Sequence, residues 1–318
     1  MKKITKEDYE RMRGWIYRYG VHIQIAKFQF FLENGSQDEV VKALSFYQNP
    51  DGGFISFDFD NWNQNSSPVA LFYAYYILKD IGITDKNHPM IQGMIKYMEN
   101  CEYCTDKGCF WSIPSNNHYP CQPYYLYPTA PWHAKDWPAE NYVNNSYVEF
   151  VLKYFDKNSP MYHKILQVIE YRISFLPRLK EFYGFTGEIE QGMESYDWLT
   201  LIRTIRQYGI KSYEECEILE KELLELTKTY ANPSVYEELL KNRRKIDLEE
   251  RGEVIPDAIL DEMVESVCHN QDWCKEALVC ENPEKRFQEI SQISSIAWPI
   301  EELVNKLIQL KKYDRIEE

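Results

Sequence analysis

Gln48-Asn49-Pro50-Asp51-Gly52-Gly53-Phe54 follows directly on a helical stretch opened by Ser36, with Glu39 three residues on as its capping-box partner. The two glycines permit a tight turn with positive φ, and Phe54 is placed to fold back and seal the end of the preceding helix. The theme returns about 55 residues downstream, where a helix ending near Tyr97-Met98 runs into Gly108-Cys109-Phe110-Trp111. Helix, glycine turn, aromatic: at that spacing the repeat has the period of a helix pair. Beyond residue 150 the pattern fades.

Helical periodicity dominates on either side of this stretch. Only 13 glycines interrupt 318 residues, and alternating patterns are scarce. Helices are expected over 6–18, 20–33, 36–48, 68–81, 88–100, 144–156, 159–181, 192–208, 211–230, 233–245, 256–268, 283–290 and 299–312. Ser67-Pro68 reads as an N-cap followed by a proline at the first helical position. Pro89, Pro160, Pro256 and Pro299 mark further helix entries. A long irregular segment, 104–141, is rich in Pro, Tyr, Trp and Asn, and loops of that length are usually functional. No linker separates domains, so one all-α domain is expected over 1–318.

Composition narrows the function classes. With 36 Lys+Arg against 50 Asp+Glu the formal charge is −14, which argues against a nucleic-acid partner. The basic burst Lys241–Lys245 is followed at once by Asp247, Glu249 and Glu250 and reads as a solvated helix face. Apolar residues at 44% supply a core despite a mean hydropathy of −0.55, which excludes disorder. No run approaches the ~18 apolar residues of a membrane span, and Met1–Arg13 lacks a signal core. A cytosolic setting with reduced cysteines is the expectation.

Gln48–Phe54 resembles the glutamine–aromatic repeat of the squalene/hopene cyclases and the protein-prenyltransferase β subunits. A closer resemblance is to a bacterial family of prenyltransferase-like proteins. It is carried by Gln48–Phe54, Asp58-Phe59-Asp60, Asn65-Ser66-Ser67-Pro68 and Tyr127-Pro128-Thr129-Ala130-Pro131-Trp132-His133. Thr129 and His133 depart from that family's usual pattern. The resemblance covers roughly residues 15–145 and implies an α/α toroid: two concentric rings of helices around a central cavity, incomplete in the C-terminal half if the lost repeat means lost geometry. Val69–Leu78, apolar nearly all round, is expected among the inner helices.

The chemistry of the better-known relatives does not carry over intact. The zinc of the protein prenyltransferases requires Asp-x-Cys and a later histidine; Asp272-Trp273-Cys274 has the spacing, but the last histidine is His269. The cyclase acid motif is Asp-x-Asp-Asp, and Asp58-Phe59-Asp60-Asn61 is one carboxylate short. Two facing carboxylates raise a pKa far more effectively than an amide does. No aspartate-rich magnesium motif is present. Cys101, Cys104, Cys109 and Cys121, with His118 nearby, match no zinc spacing, and neither do Cys268, His269, Cys274 and Cys280. No metal and no cofactor are expected.

The candidate site gathers at one end of the toroid, where inner-helix N-termini converge. Asp58 and Asp60, in the loop ahead of Pro68, are the candidate catalytic acids, with helix capping as the plain alternative. Trp62, Asn63, His118, Tyr127, Trp132 and His133 are the candidate ligand contacts, set against ordinary packing of helix ends. On 192–208, Asp197 is a possible cavity acid, while Glu190 and Glu194 read as a wet face.

Three functions stand at this level. The lead is a toroid binding a small, mainly apolar or isoprenoid-like ligand, with cyclase or transferase chemistry left open. The second is a carbohydrate-active barrel with two carboxylates about 5–9.5 Å apart in an open cleft. The third is a non-catalytic scaffold presenting an acidic surface to a protein partner.

Overall fold

Backbone amides that helices leave unpaired at their starts are met here by short polar side chains. In the computed structural model, which describes residues 1–57, 59–127, 144–270 and 285–317, Thr5 caps α1 (Lys6–Tyr19) and Ser36 caps α3 (Gln37–Ser45). Between them lies α2 (His22–Leu32). Ser67 Oγ accepts from the Ala70 N–H at 3.2 Å to start α4 (Pro68–Asp80), and His88 caps α5 (Pro89–Asn100). The chain continues through α6 (Asn144–Tyr154), α7 (Pro160–Ser174), α8 (Leu179–Phe185), α9 (Glu188–Gln207) and α10 (Tyr213–Tyr230). It closes with α11 (Pro233–Glu250), α12 (Asp257–Glu265) and α13 (Lys285–Lys312). With 68% helix against 4% strand, the fold is all-α.

The Gln48–Phe54 turn is built as its residues demand. Gln48 and Phe54 form an antiparallel bridge, and Gly52 takes φ +91°. A Cβ on Gly52 would lie 2.1 Å from the Gly93 carbonyl oxygen, so the turn's backbone rests directly on α5. Gln48 Nε2 then donates to the Gly52 carbonyl at 3.1 Å and the Met90 carbonyl at 3.2 Å, tying one helix pair to the next.

Neighbouring helices pack in sequence, and the last returns to the first. α6 lies against α4, α7 and α9; α9 lies against α10 and α11; α13 packs on α2 and α1. The tails pair beside it, with the Ile4 N–H donating to the Arg315 carbonyl at 2.8 Å and the Glu317 N–H to the Ile4 carbonyl at 3.0 Å. Arg315, 1% exposed, reaches the carboxylates of Asp257 and Asp261. One large apolar core runs from α2 to α11, and a second joins α1 and α13 through Ile16, Leu303 and Leu307.

Four departures from the sequence reading have local causes. The helix expected over 159–181 stops at Ser174, where a 3-10 turn over Leu176–Arg178 holds Pro177, before α8 resumes the path. Pro299 lies inside the 28-residue α13, not at its entry. The segment after α5 is not wholly irregular: β1 (Cys104–Thr105) and β2 (Gly108–Cys109) form a small hairpin, with 3-10 turns at Pro114–His118 and Pro123–Tyr125. The basic burst on α11 is not simply solvated, since Arg243 pairs with Glu220, which Arg203 also reaches at 3.0 Å. No described helix is long and apolar enough to cross a membrane.

Candidate functional site

The loop ahead of α4 and the segment after α5 meet along a seam. Asn61 bridges to Cys121, the Trp62 N–H donates to the Pro120 carbonyl at 3.0 Å, and the Gln122 N–H donates to the Asp60 carbonyl at 2.8 Å. Asn63, buried, donates through Nδ2 to Ser115 Oγ at 2.7 Å and Asn116 Oδ1 at 2.6 Å, and accepts through Oδ1 from the Asn65 N–H at 2.9 Å. Asn116 in turn donates to the Tyr125 carbonyl at 2.9 Å. An amide matched on both its polar atoms locks the seam.

Asp60 is the seam's buried charge. Its Oδ2 accepts from Trp298 Nε1 at 2.7 Å and from the Tyr124 hydroxyl. Trp62 lies at the surface, and His118 is exposed at the end of its 3-10 turn. Tyr127, half-buried, is held by its backbone: its N–H donates to Asn117 Oδ1 at 2.9 Å, and Asn117 Nδ2 returns a bond to its carbonyl at 2.8 Å. Asp58, Trp132 and His133 lie outside the described residues, as do Asp272, Cys274 and Cys280.

Beside the seam opens a cavity of about 810 Å³. Ile23, Lys27 and Phe31 of α2 form one wall, and Tyr73, Tyr76, Ile77 and Asp80 of α4 another. Phe57 and Phe59 enter from the loop ahead of α4; Glu249 comes from α11. α13 supplies Trp298, Glu301, Asn305 and Ile308, with Lys311 and Lys312 in its last turn. That volume is in the range of small-molecule sites. Aromatic rings line the end near the seam, where Phe59 meets Trp298 edge-on at 5.2 Å and Phe57 meets Tyr73 at 6.3 Å. Charged groups line the rest of the wall: Lys27 pairs with Glu301 at 2.5 Å and donates to Asn305 Oδ1 at 3.2 Å. Burial raises the Asp80 carboxyl, opposed by the nearby Lys27 and Lys79 ammonium groups.

α9 brings an acid close to this wall. Burial pushes the Asp197 carboxyl up to about 7, with the Glu194 carboxylate adding to the rise and the Arg172 guanidinium opposing it. Tyr76, of the cavity lining, feels the charges of Glu149 and Asp197, and burial is what raises its hydroxyl most. Glu194 is no wet face: it is buried, pairs with Arg172 at 2.6 Å and accepts from Trp198 Nε1 at 3.0 Å. Arg172 also lies 4.5 Å over the Trp198 ring. Because Arg172 is engaged by Glu194, little of its charge is left to ionise Asp197.

Cys101, Cys104 and Cys109 pack together at the hairpin. All three thiols are raised, Cys101 first by its hydrogen bond with Cys104 and then by burial, Cys104 and Cys109 first by burial, the state of packing cysteines rather than nucleophiles. Among the described residues no group of three or more His, Cys, Asp or Glu side chains is placed to hold a metal ion.

No family model, curated protein or solved structure matches the chain. The sequence reading singles out Asp60 but misses its partner Trp298, and it misses Phe57, Tyr73 and Tyr76 as lining. The available signal for the last two is a gap of three along an otherwise apolar helix, where tyrosine replaces aliphatic residues.

Proposed function

We propose that this chain is an α/α toroid of the prenyltransferase-like and terpenoid-cyclase-like kind, whose central cavity binds a small, mainly apolar ligand of isoprenoid-like character. The observation that carries this reading is the cavity ringed by α2, α4, α11 and α13 and faced with Phe31, Phe57, Phe59, Tyr73 and Trp298. The return of α13 onto α2 and α1 is what closure of a ring requires, and α4, buried along nearly its whole length, has the character of an inner helix. Asp60 serves this site indirectly, by holding Trp298.

Native mass spectrometry of the purified protein, followed by titration with farnesol, tests the reading. A bound apolar molecule, or saturable farnesol binding that weakens about tenfold in Tyr73→Ala with helical content unchanged, is expected from the loss of an aromatic wall. A protein that carries nothing and binds no apolar probe would overturn it.

A further inference from the structure

We propose that Cys101 and Cys104 are an oxidation site, two thiols that a low-molecular-weight disulfide such as oxidised glutathione converts to an internal disulfide. The inference is independent of the cavity and rests on the turn that ends α5. Cys101 follows that helix as its C-cap, and the Cys104 N–H donates to the Cys101 carbonyl at 3.3 Å, so the two residues are the ends of a β-turn. A β-turn holds its end Cα atoms within about 7 Å, and a disulfide requires about 4.4–6.8 Å. The thiols are already in contact, since Cys101 is hydrogen-bonded with Cys104.

Access separates the members of the cluster. Cys104 and Cys109 face each other across the hairpin and are 2% and 0% exposed. Cys101 is half-buried and lines a groove of about 510 Å³ with Asn49, Asp51, Asn100 and Tyr103. An oxidant therefore meets Cys101 first, and Cys104 is the thiol behind it. Cys109 is hydrogen-bonded with Cys104 as well, which makes it the rival partner.

The exchange proceeds in two displacements. The Cys101 thiolate attacks one sulfur of oxidised glutathione and releases the other half as a thiolate. The Cys104 thiolate then attacks Cys101 Sγ of the mixed disulfide and releases the second glutathione thiolate. The protons given up by the two cysteines go to the two departing thiolates. Cys101 and Cys104 together lose two electrons, and the glutathione disulfide gains them.

Neither thiol is a ready nucleophile: the hydrogen bond with Cys104 keeps Cys101 protonated, and burial does the same for Cys104. The reaction is therefore slow near neutral pH and quickens as pH rises. Its product clips the end of α5 to β1, where the segment begins that supplies Asn116 and Tyr124 to the seam around Asp60.

Trypsin, cutting after Lys96 and Lys107, leaves Cys101 and Cys104 on one peptide, 97–107, and Cys109 on the next. The reduced protein is equilibrated with glutathione buffers of graded ratio, free thiols are blocked with iodoacetamide in urea, and the digest is weighed by mass spectrometry. Peptide 97–107 should appear unblocked and two hydrogens lighter in wild type and in Cys109→Ser, and never in Cys104→Ser. The folded protein should keep this disulfide in buffer about tenfold more reducing than the urea-unfolded chain tolerates, because the turn prealigns the sulfurs. Formation should quicken about tenfold per unit of pH above neutrality, as thiols held protonated require. Glutathione retained on Cys101, a Cys104–Cys109 link joining the two peptides, or equal midpoints for folded and unfolded chains overturns the inference. So does a folded protein whose three thiols stay open to blocking in buffers that oxidise the unfolded chain.

Discussion

Trp298 Nε1 donates to Asp60 Oδ2 at 2.7 Å, joining positions 238 residues apart. The bond ties α13 to the loop ahead of α4, and Tyr124 adds its hydroxyl from the segment after α5. Three stretches of chain that share no local sequence signal converge on one buried carboxylate.

Removal of that carboxylate takes its acceptor from two half-buried donors, Trp298 Nε1 and the Tyr124 hydroxyl. Asp60→Ala is expected to cost about 2–3 kcal/mol, and Asp60→Asn less, since an amide oxygen still accepts. Urea unfolding measures both. A double-mutant cycle with Trp298→Phe should show a coupling of about 1 kcal/mol or more, and additive losses would mean that the bond contributes nothing in solution.

Asp197 makes stability depend on pH with a definite sign. Its folded-state value, about 7, lies above its ordinary value of 3.8, so between these limits the unfolded chain ionises while the folded one stays protonated. The stability that the neutral form confers is complete below pH 4 and is lost as pH rises through 7. Asp197→Asn should therefore match wild type at pH 4 and exceed it at pH 8, by about 2–4 kcal/mol for a shift of this size. Equal stabilities of the two proteins at both pH values would show that the carboxyl titrates normally.

Two glycines should answer alanine oppositely. Gly52, at φ +91°, leaves no room for a Cβ against the Gly93 carbonyl, and Gly52→Ala is expected to cost about 2 kcal/mol or more. Gly14 lies in the middle of α1 with nothing within 4 Å of the point where a Cβ would stand, so Gly14→Ala should gain about 0.5–1 kcal/mol. Thermal unfolding of the pair checks both signs.

The Arg315 guanidinium, buried beneath the paired tails, is matched by Asp257, Asp261 and the Lys2 carbonyl. Arg315→Ala should speed hydrogen exchange at the Ile4 and Glu317 amides and lower Tm. Arg315→Lys should recover only part, because an ammonium cannot fork to two carboxylates as a guanidinium does. Unchanged exchange at Ile4 would show that the tails pair without this residue.

Much of the helical framework is legible because its signals are local. Ser36 and Ser67-Pro68 announce helix starts through side chains that bond amides three residues on, and each of these caps forms. Pro177 escapes notice as a break because the apolar period runs on across it, through Leu176 and Leu179. Glu194 misleads for a related reason: its i,i+4 relation to Glu190 resembles a surface pattern, while its partner Arg172 comes from another helix.

What the sequence by itself determined is the all-α class, the place of most helices and the turn at Gln48–Phe54, because capping, helical period and glycine φ depend on residues a few positions apart. What only the tertiary structure decided is the environment of each charged group. Asp60 became a buried acceptor because Trp298 and Tyr124 were delivered to it, and Asp197 was lifted to about 7 because neighbouring helices took its water away while Glu194 occupied Arg172. Desolvation and ion pairing are set by whatever atoms surround a group in space, and those atoms come from far along the chain.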